Sequence, residues 1–228
     1  RASIYNEDML FQEFGIDAEI MIDHAWGLEP CGMAEIKAYK PSTNSLSEGQ
    51  VLAEPYPYDK ARIIVAEMAD SLVLQLTDKN LVTDGLTLDV GYDRENCDKG
   101  SYRGPVHIDH YGRSVPKGAH GSTHLGNPSN LGSTIVTAAV ELFDQIANRS
   151  LTVRRITIAA NRVVQDEGVY QFDLFSDVEK QEKEKTLQKA LLGIKKKYGK
   201  NAILKGTNFL DGATMRERNK QIGGHKES

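Results

Sequence analysis

The sequence predicts an α+β protein, a β-α-β-β-α-β domain whose four-stranded sheet carries two helices on one face. Three observations predict it. Apolar residues recur at helical spacing in 61–76 and again in 131–146. Apolar and polar residues alternate in 86–92 and in 153–160, as half-buried strands do. Strand-like segments at 45–52 and 120–126 complete the order strand, helix, strand, strand, helix, strand.

The elements follow in chain order. Residues 6–14 (NEDMLFQEF) read as a short helix capped by Asn6, with acids in its first turn and Gly15 closing it. Residues 17–25 form a second short helix ending near Gly27. Two such helices cannot bury their own apolar faces, so 1–31 is expected to be the remnant of a larger helical domain cut upstream, and Arg1 in place of Met fits a fragment. The polar stretch 32–44, broken by Pro41, reads as a linker. The sheet domain then spans 45–168. Its first helix carries Ala61, Ile64, Val65, Met68, Leu72 and Leu76, and its second strand carries Leu86, Leu88, Val90 and Tyr92. Residues 93–118 are a long irregular insertion rich in Gly, Asp and His, and 120–126 follows as a strand edge. Asn130 is positioned to cap the helix that carries Leu131, Ile135, Ala139, Leu142, Phe143 and Ile146. Val153, Ile156, Ile158 and Ala160 mark the last strand. The remaining residues, 169–228, hold a helix from about 177 to 198 and a tail whose Gly-Gly pair and charges predict mobility.

Composition excludes several classes. Apolar residues at 39% and charged ones at 26% rule out a disordered chain. No apolar run approaches the roughly 20 residues of a membrane helix, so no membrane partner is expected. No secretory signal is visible, and Cys31 and Cys97 stand far apart, which fits a reducing cytoplasm. The net charge of −4 argues against nucleic acid, but its distribution does not. Residues 149–228 hold 17 Lys/Arg against 10 Asp/Glu, whereas 1–148 hold 11 against 22. A polyanion-binding face gives such asymmetry, and so does a solvated basic helix.

The chemistry-bearing segments are few. In LTVRRITIAANRV (151–163), Arg154, Arg155, Thr157, Asn161 and Arg162 sit on or beside one strand that lacks any acid. Guanidinium, hydroxyl and amide groups on an open sheet suit a row of phosphates without demanding a base sequence. Arginines on an edge strand that merely discourage aggregation would look the same. Two adjacent arginines also point to opposite faces, so one must serve another purpose. NSLSEGQV (44–51) adds Ser45, Ser47, Gly49 and Gln50. The polar sheet face comprises Ser45, Ser47, Thr87, Thr157 and Asn161. His107, His110, His120 and His124, with Cys97 and Asp109, raise zinc, but their spacing matches no structural site and no metal is assigned. No G-x-S-x-G, H-E-x-x-H or P-loop occurs, so no catalytic residue is assigned. Finally, QFDLF (171–175) puts Phe172, Leu174 and Phe175 in a connector. Either they staple the next helix to the sheet, or they form a peptide for another protein's pocket.

Several of these segments together resemble the Y-family (lesion-bypass) DNA polymerases of bacteria, in their UmuC-like or ImpB/MucB/SamB branch. YKPSTNSLSEGQVL, the strand and helix order, and VRRITIAANRV look like the little-finger domain that rests on template and primer backbone. FGIDAEIMIDHAWGLEP looks like the end of the thumb, and GTNFLDGATMRERNKQIGGHK like the closing tail of the branch in Gram-positive bacteria. The 93–118 insertion departs from shorter family members. The resemblance implies a parent DNA-directed DNA polymerase that uses Mg²⁺, with its catalytic palm before Arg1, so the chain itself is expected to lack catalysis and cofactor. It implies backbone contacts by Ser45, Ser47, Arg154 and Arg155, with Gly49, Gln50, Asn161 and Arg162 as weaker matches. It also likens QFDLF to a sliding-clamp-binding peptide, in which Gln171 bonds at a pocket rim, Leu174 and Phe175 enter an apolar cleft, and Asp173 keeps the peptide soluble. The implied partners are therefore DNA, bound without sequence preference, and the clamp. A non-enzymatic module whose polar sheet face meets protein is the alternative.

Overall fold

The computed structural model describes residues 7–15, 17–29, 31–39, 44–98, 102–109, 112–168, 178–222 and 225–226. The chain divides into two compact units, residues 1–43 and 44–228. The first unit holds α1 (Glu7–Phe14), α2 (Asp17–Trp26) and α3 (Met33–Ala38). Gly15 ends α1 at φ +58°, a left-handed conformation that glycine adopts without penalty, and its N–H donates to Phe11 O at 2.9 Å. Met9, Phe11, Ile20 and Trp26 are exposed. The third helix lies inside the stretch expected as a linker, where MAEIKA supplies good helix formers.

The second unit runs β1 (Leu46–Tyr56), α4 (Tyr58–Asp78), β2 (Leu81–Tyr92), α5 (Glu95–Asp98), β3 (Val106–Ile108), β4 (Ser114–Pro116), β5 (Ala119–Ser129), α6 (Gly132–Ile146), β6 (Val153–Asn161), β7 (Val164–Gln165), α7 (Val178–Tyr198), α8 (Met215–Arg218), β8 (Gln221–Ile222) and β9 (His225–Lys226). Four strands pair antiparallel in the order β1-β6-β2-β5, and β7 extends the far end of β2. The predicted fold is present. Leu86, Leu88, Val90, Ile156, Ile158 and Ala160 turn to one face, where α4 and α6 bury Ile64, Met68, Leu72, Ile135 and Phe143 against them. Each such aliphatic side chain contributes about 1.5–3 kcal/mol by leaving water. The helices are also clasped to each other: Tyr58 Oη and Arg62 Nε donate to Asp144 at 2.6 and 2.8 Å. The Arg62 guanidinium holds the Asp144 carboxyl below its ordinary range.

Three expectations give way. The insertion is not wholly irregular, because β3 and β4 pair as a hairpin within it. Asn130 does not cap α6; its amide donates to Leu81 O, and the cap comes from α7. There Gln188 Oε1 accepts from Gly132 N at 2.7 Å and Glu184 Oε1 from Ser133 N at 2.7 Å. Two orphan donors of the first helical turn are thereby satisfied from another helix. The tail through Ile222 is likewise built into the unit. Buried Glu67 on α4 accepts from Asn208 Nδ2, Thr214 N and Met215 N, so a turn at Gly206–Phe209 and α8 are fastened to the helix.

Glu48 of β1 faces α4, where Ser71 Oγ donates to it at 2.6 Å and Gln75 donates as well. Its second oxygen is buried with no partner among the described residues, and burial pushes its carboxyl above the ordinary range. No helix among the described residues is long and apolar enough to cross a membrane.

Candidate nucleic-acid interface

Side chains alternate across a strand, so every second residue of the sheet stands on the face opposite α4 and α6. The register sets these residues in cross-strand rows: Gly49–Thr157–Asp89–His120, then Ser47–Ala159–Thr87–Ser122, then Asn161–Gly85–His124. Val51, Arg155 and Gly91 form the row at the other end. Neighbouring strands are about 4.8 Å apart, and the middle row, Ser47–Ala159–Thr87–Ser122, is a line of small and hydroxyl-bearing side chains.

The structure brings most of the sequence-derived residues together here. Ser47 is exposed within β1 and Ser45 just before it. A Cβ at Gly49 would meet Thr157 Oγ1 at an ordinary 3.6 Å, so packing does not require glycine there; its absence leaves the Thr157 hydroxyl open. Arg155 rises from the face beside Gly91 and has no ion-pair or hydrogen-bond partner among the described residues. Asn161 donates to Thr87 Oγ1 at 2.6 Å. Arg162, at φ +47°, folds its guanidinium over Gly85 and bonds Asp84 Oδ1 through Nε at 2.7 Å. A Cβ on Gly85 would lie 2.7 Å from Arg162 Nη2, so only glycine leaves that guanidinium its place.

Two residues are not in that set. Gln50 points to the helix side, where its amide donates to Thr214 Oγ1 at 2.9 Å, because it shares a face with Leu52 rather than with Gly49. Arg154 sits where the β2–β6 register shifts, donates to Ala53 O at 3.0 Å and lies 3.6 Å from Asp93 Oδ2. It ties strand ends together. Nor do these arginines guard an edge, since β6 pairs on both sides.

The basic excess of residues 149–228 is largely elsewhere. Much of it lies on α7 and the tail, where Lys196 pairs with Asp78 and Lys205 with Asp70 of α4. The face itself also carries acids, each set against a histidine. His120 Nδ1 is 2.7 Å from Asp89 Oδ1, and His124 Nε2 is 3.4 Å from Asp84 Oδ2. Extending the alternation through β5 would have placed His120, Ser122 and His124 there. Among the described residues no group of three or more His, Cys, Asp or Glu is placed to hold a metal ion. Gln171, Asp173, Leu174 and Phe175 lie outside the described residues.

The model of the impB/mucB/samB family C-terminal domain matches residues 43–174. UvrX of Bacillus subtilis (strain 168), named for UV-damage repair, is 24% identical over 96% of this chain and 47% of its own length. DNA polymerase IV 2 of Halalkalibacterium halodurans is 22% identical over 93% of this chain and 46% of its own. The chain thus spans about half the length of the curated relatives it matches. A solved complex of beta-clamp processivity factor and the little finger domain of PolIV covers 58% of this chain and 99% of that one, at 10% identity and a TM-score of 0.36.

Proposed function

The chain belongs to the impB/mucB/samB family through its C-terminal domain, and on that premise we propose that it is the DNA-holding and clamp-tethering part of a translesion DNA polymerase. The observation that carries the reading is the open sheet face. Ser47, Gly49, Thr87, Ser122, Thr157 and Ala159 within its rows admit a sugar–phosphate backbone closely, and their hydroxyls donate to phosphate without reading bases. Arg155 supplies an uncompensated charge at one end, and Arg162 flanks the other. The partner is DNA bound through its backbone, and the second partner is a sliding clamp, engaged by Gln171, Leu174 and Phe175. Polymerase chemistry and its Mg²⁺ belong, in this reading, to sequence that the relatives possess beyond the half matched here. The donor sets among the described residues do not fit a divalent ion, and no catalytic step is assigned to this chain.

The scarcity of free cations on the face predicts modest affinity with a shallow salt dependence. The two arginines of the sheet face alone, Arg155 and Arg162, give a slope of log affinity against log salt of about −2. Fluorescence anisotropy of a labelled primer–template, titrated at several salt concentrations, measures it. Arg155→Ala should flatten the slope by about 1 and weaken all sequences alike. Absent or salt-independent binding would sink the reading in favour of a protein-binding face.

A further inference from the structure

The insertion between β2 and β5 has no assigned role, yet it is bolted to the sheet. Asn96, at its base, is buried; its Oδ1 accepts from Thr152 N at 3.0 Å and its amide donates to Asp93 O and Thr152 O. The hairpin of β3 and β4 closes where Lys117 N donates to Pro105 O at 2.8 Å. The chain then re-enters the sheet at Gly118, where a Cβ would stand 2.9 Å from Val90 O, a distance only glycine permits.

Hairpin and sheet enclose a groove of about 820 Å³. His107 and Arg113 line one wall, Arg155, Thr157 and His120 the other, and Arg94 the base. Val106 and Ile108 flank His107 in β3, so strand alternation turns them away from the groove. Every acid in the groove already faces a base. Asp89 lies against His120, Asp93 against Arg154, and Asp109 against Arg113 at 2.6 Å. Arg94 and Arg155 have no acid partner among the described residues, so the groove is left with uncompensated positive charge beside the Thr157 hydroxyl.

We propose that the insertion hairpin is a second wall of the nucleic-acid site, and that the groove seats a sugar–phosphate backbone between Arg155 of the sheet and Arg94 of the insertion. The proposal rests on the reading of the sheet face as a backbone-binding surface and extends that surface past the edge of the rows. Charge complementarity decides for phosphate over protein. Tyr92, which contributes to the groove's lining, is buried in the core and offers no exposed anchor of the kind that dominates protein interfaces, while the Arg94 and Arg155 guanidinium groups and the Thr157 hydroxyl suit phosphate.

The test uses the full chain and a labelled primer–template, read by anisotropy across salt. Arg94→Ala should weaken binding about fivefold near 0.1 M salt and flatten the salt slope by about 1. A second variant, with residues 105–117 replaced by three glycines, should weaken binding in the same direction. If both variants bind like the parent while Arg155→Ala weakens binding, the hairpin proposal is overturned and the sheet-face reading stands. If the unmodified chain shows no salt-dependent DNA binding, both fall. If poly-glutamate binds and the two variants lose that peptide but not DNA, the groove takes an acidic protein surface and the proposal is wrong.

Discussion

Glu48 sits on the wrong side of its strand for a charged residue. Its neighbours Leu46 and Leu52 turn towards the helices, so the same alternation carries its carboxyl under α4. Burial raises its pKa, which means that the folded state holds the proton more tightly than the unfolded chain. The stability this confers is full below the unfolded value of about 4.3 and is lost as pH rises through the higher folded value. Glu48→Gln removes the titration while keeping an acceptor for Ser71 and Gln75. Urea midpoints should therefore place the variant above the parent at pH 7.5, with the gap closing towards pH 4. A variant less stable than the parent at pH 7.5, with that deficit shrinking towards pH 4, would show that the carboxylate is held charged by Arg218 and Lys200 instead.

Helix α6 shows how far an element depends on chain remote from it. Gln188 is buried, accepts from Gly132 N and donates to Asn130 O at 2.9 Å. Gln188→Ala would leave a buried donor and a buried acceptor without partners, at a cost of about 1–3 kcal/mol. Urea unfolding should record that loss, and amide exchange should quicken first at Gly132 and Ser133. A change under about 0.5 kcal/mol would mean water satisfies both groups. No local pattern announces this cap, because its partners are 56 positions apart. The same limit explains the tail, because Asn208, which donates to buried Glu67, stands 141 positions further on. By contrast α4, β2, α6 and β6 were legible because periodicity is local. The strands of the insertion, three residues each, are too short to show a period.

At the scale of the molecule, the candidate interface was half legible. Alternation located Ser47, Thr157 and Asn161 on one face, but it could not tell that a register shift diverts Arg154. Charge asymmetry misled, since much of the basic excess lies on α7 and the tail, where Lys196 and Lys205 answer acids on α4. DNA and clamp contacts are therefore expected to be separable. Leu174→Ala with Phe175→Ala should abolish a complex with the sliding clamp in gel filtration, leave the salt slope for DNA unchanged and shift the melting temperature by under about 2 °C. A larger thermal loss would assign these side chains to stapling α7.

The flanks of the 171–175 segment have a mechanical consequence. Upstream, Asp166 N donates to Asn80 O at 2.9 Å, Asn80 returns a bond to Asp166 O, and β7 is laddered to β2. Downstream, Gln188 and Glu184 grip the start of α6. Tension applied between those flanks would thus be shared by two anchorages on the same sheet-and-helix body, one a strand ladder and one a helix end. Neither anchorage includes the rows that carry Ser47, Thr157 and Arg155. A pull on the segment proposed to bind the clamp would strain the far end of the sheet while the face proposed to hold DNA keeps its register.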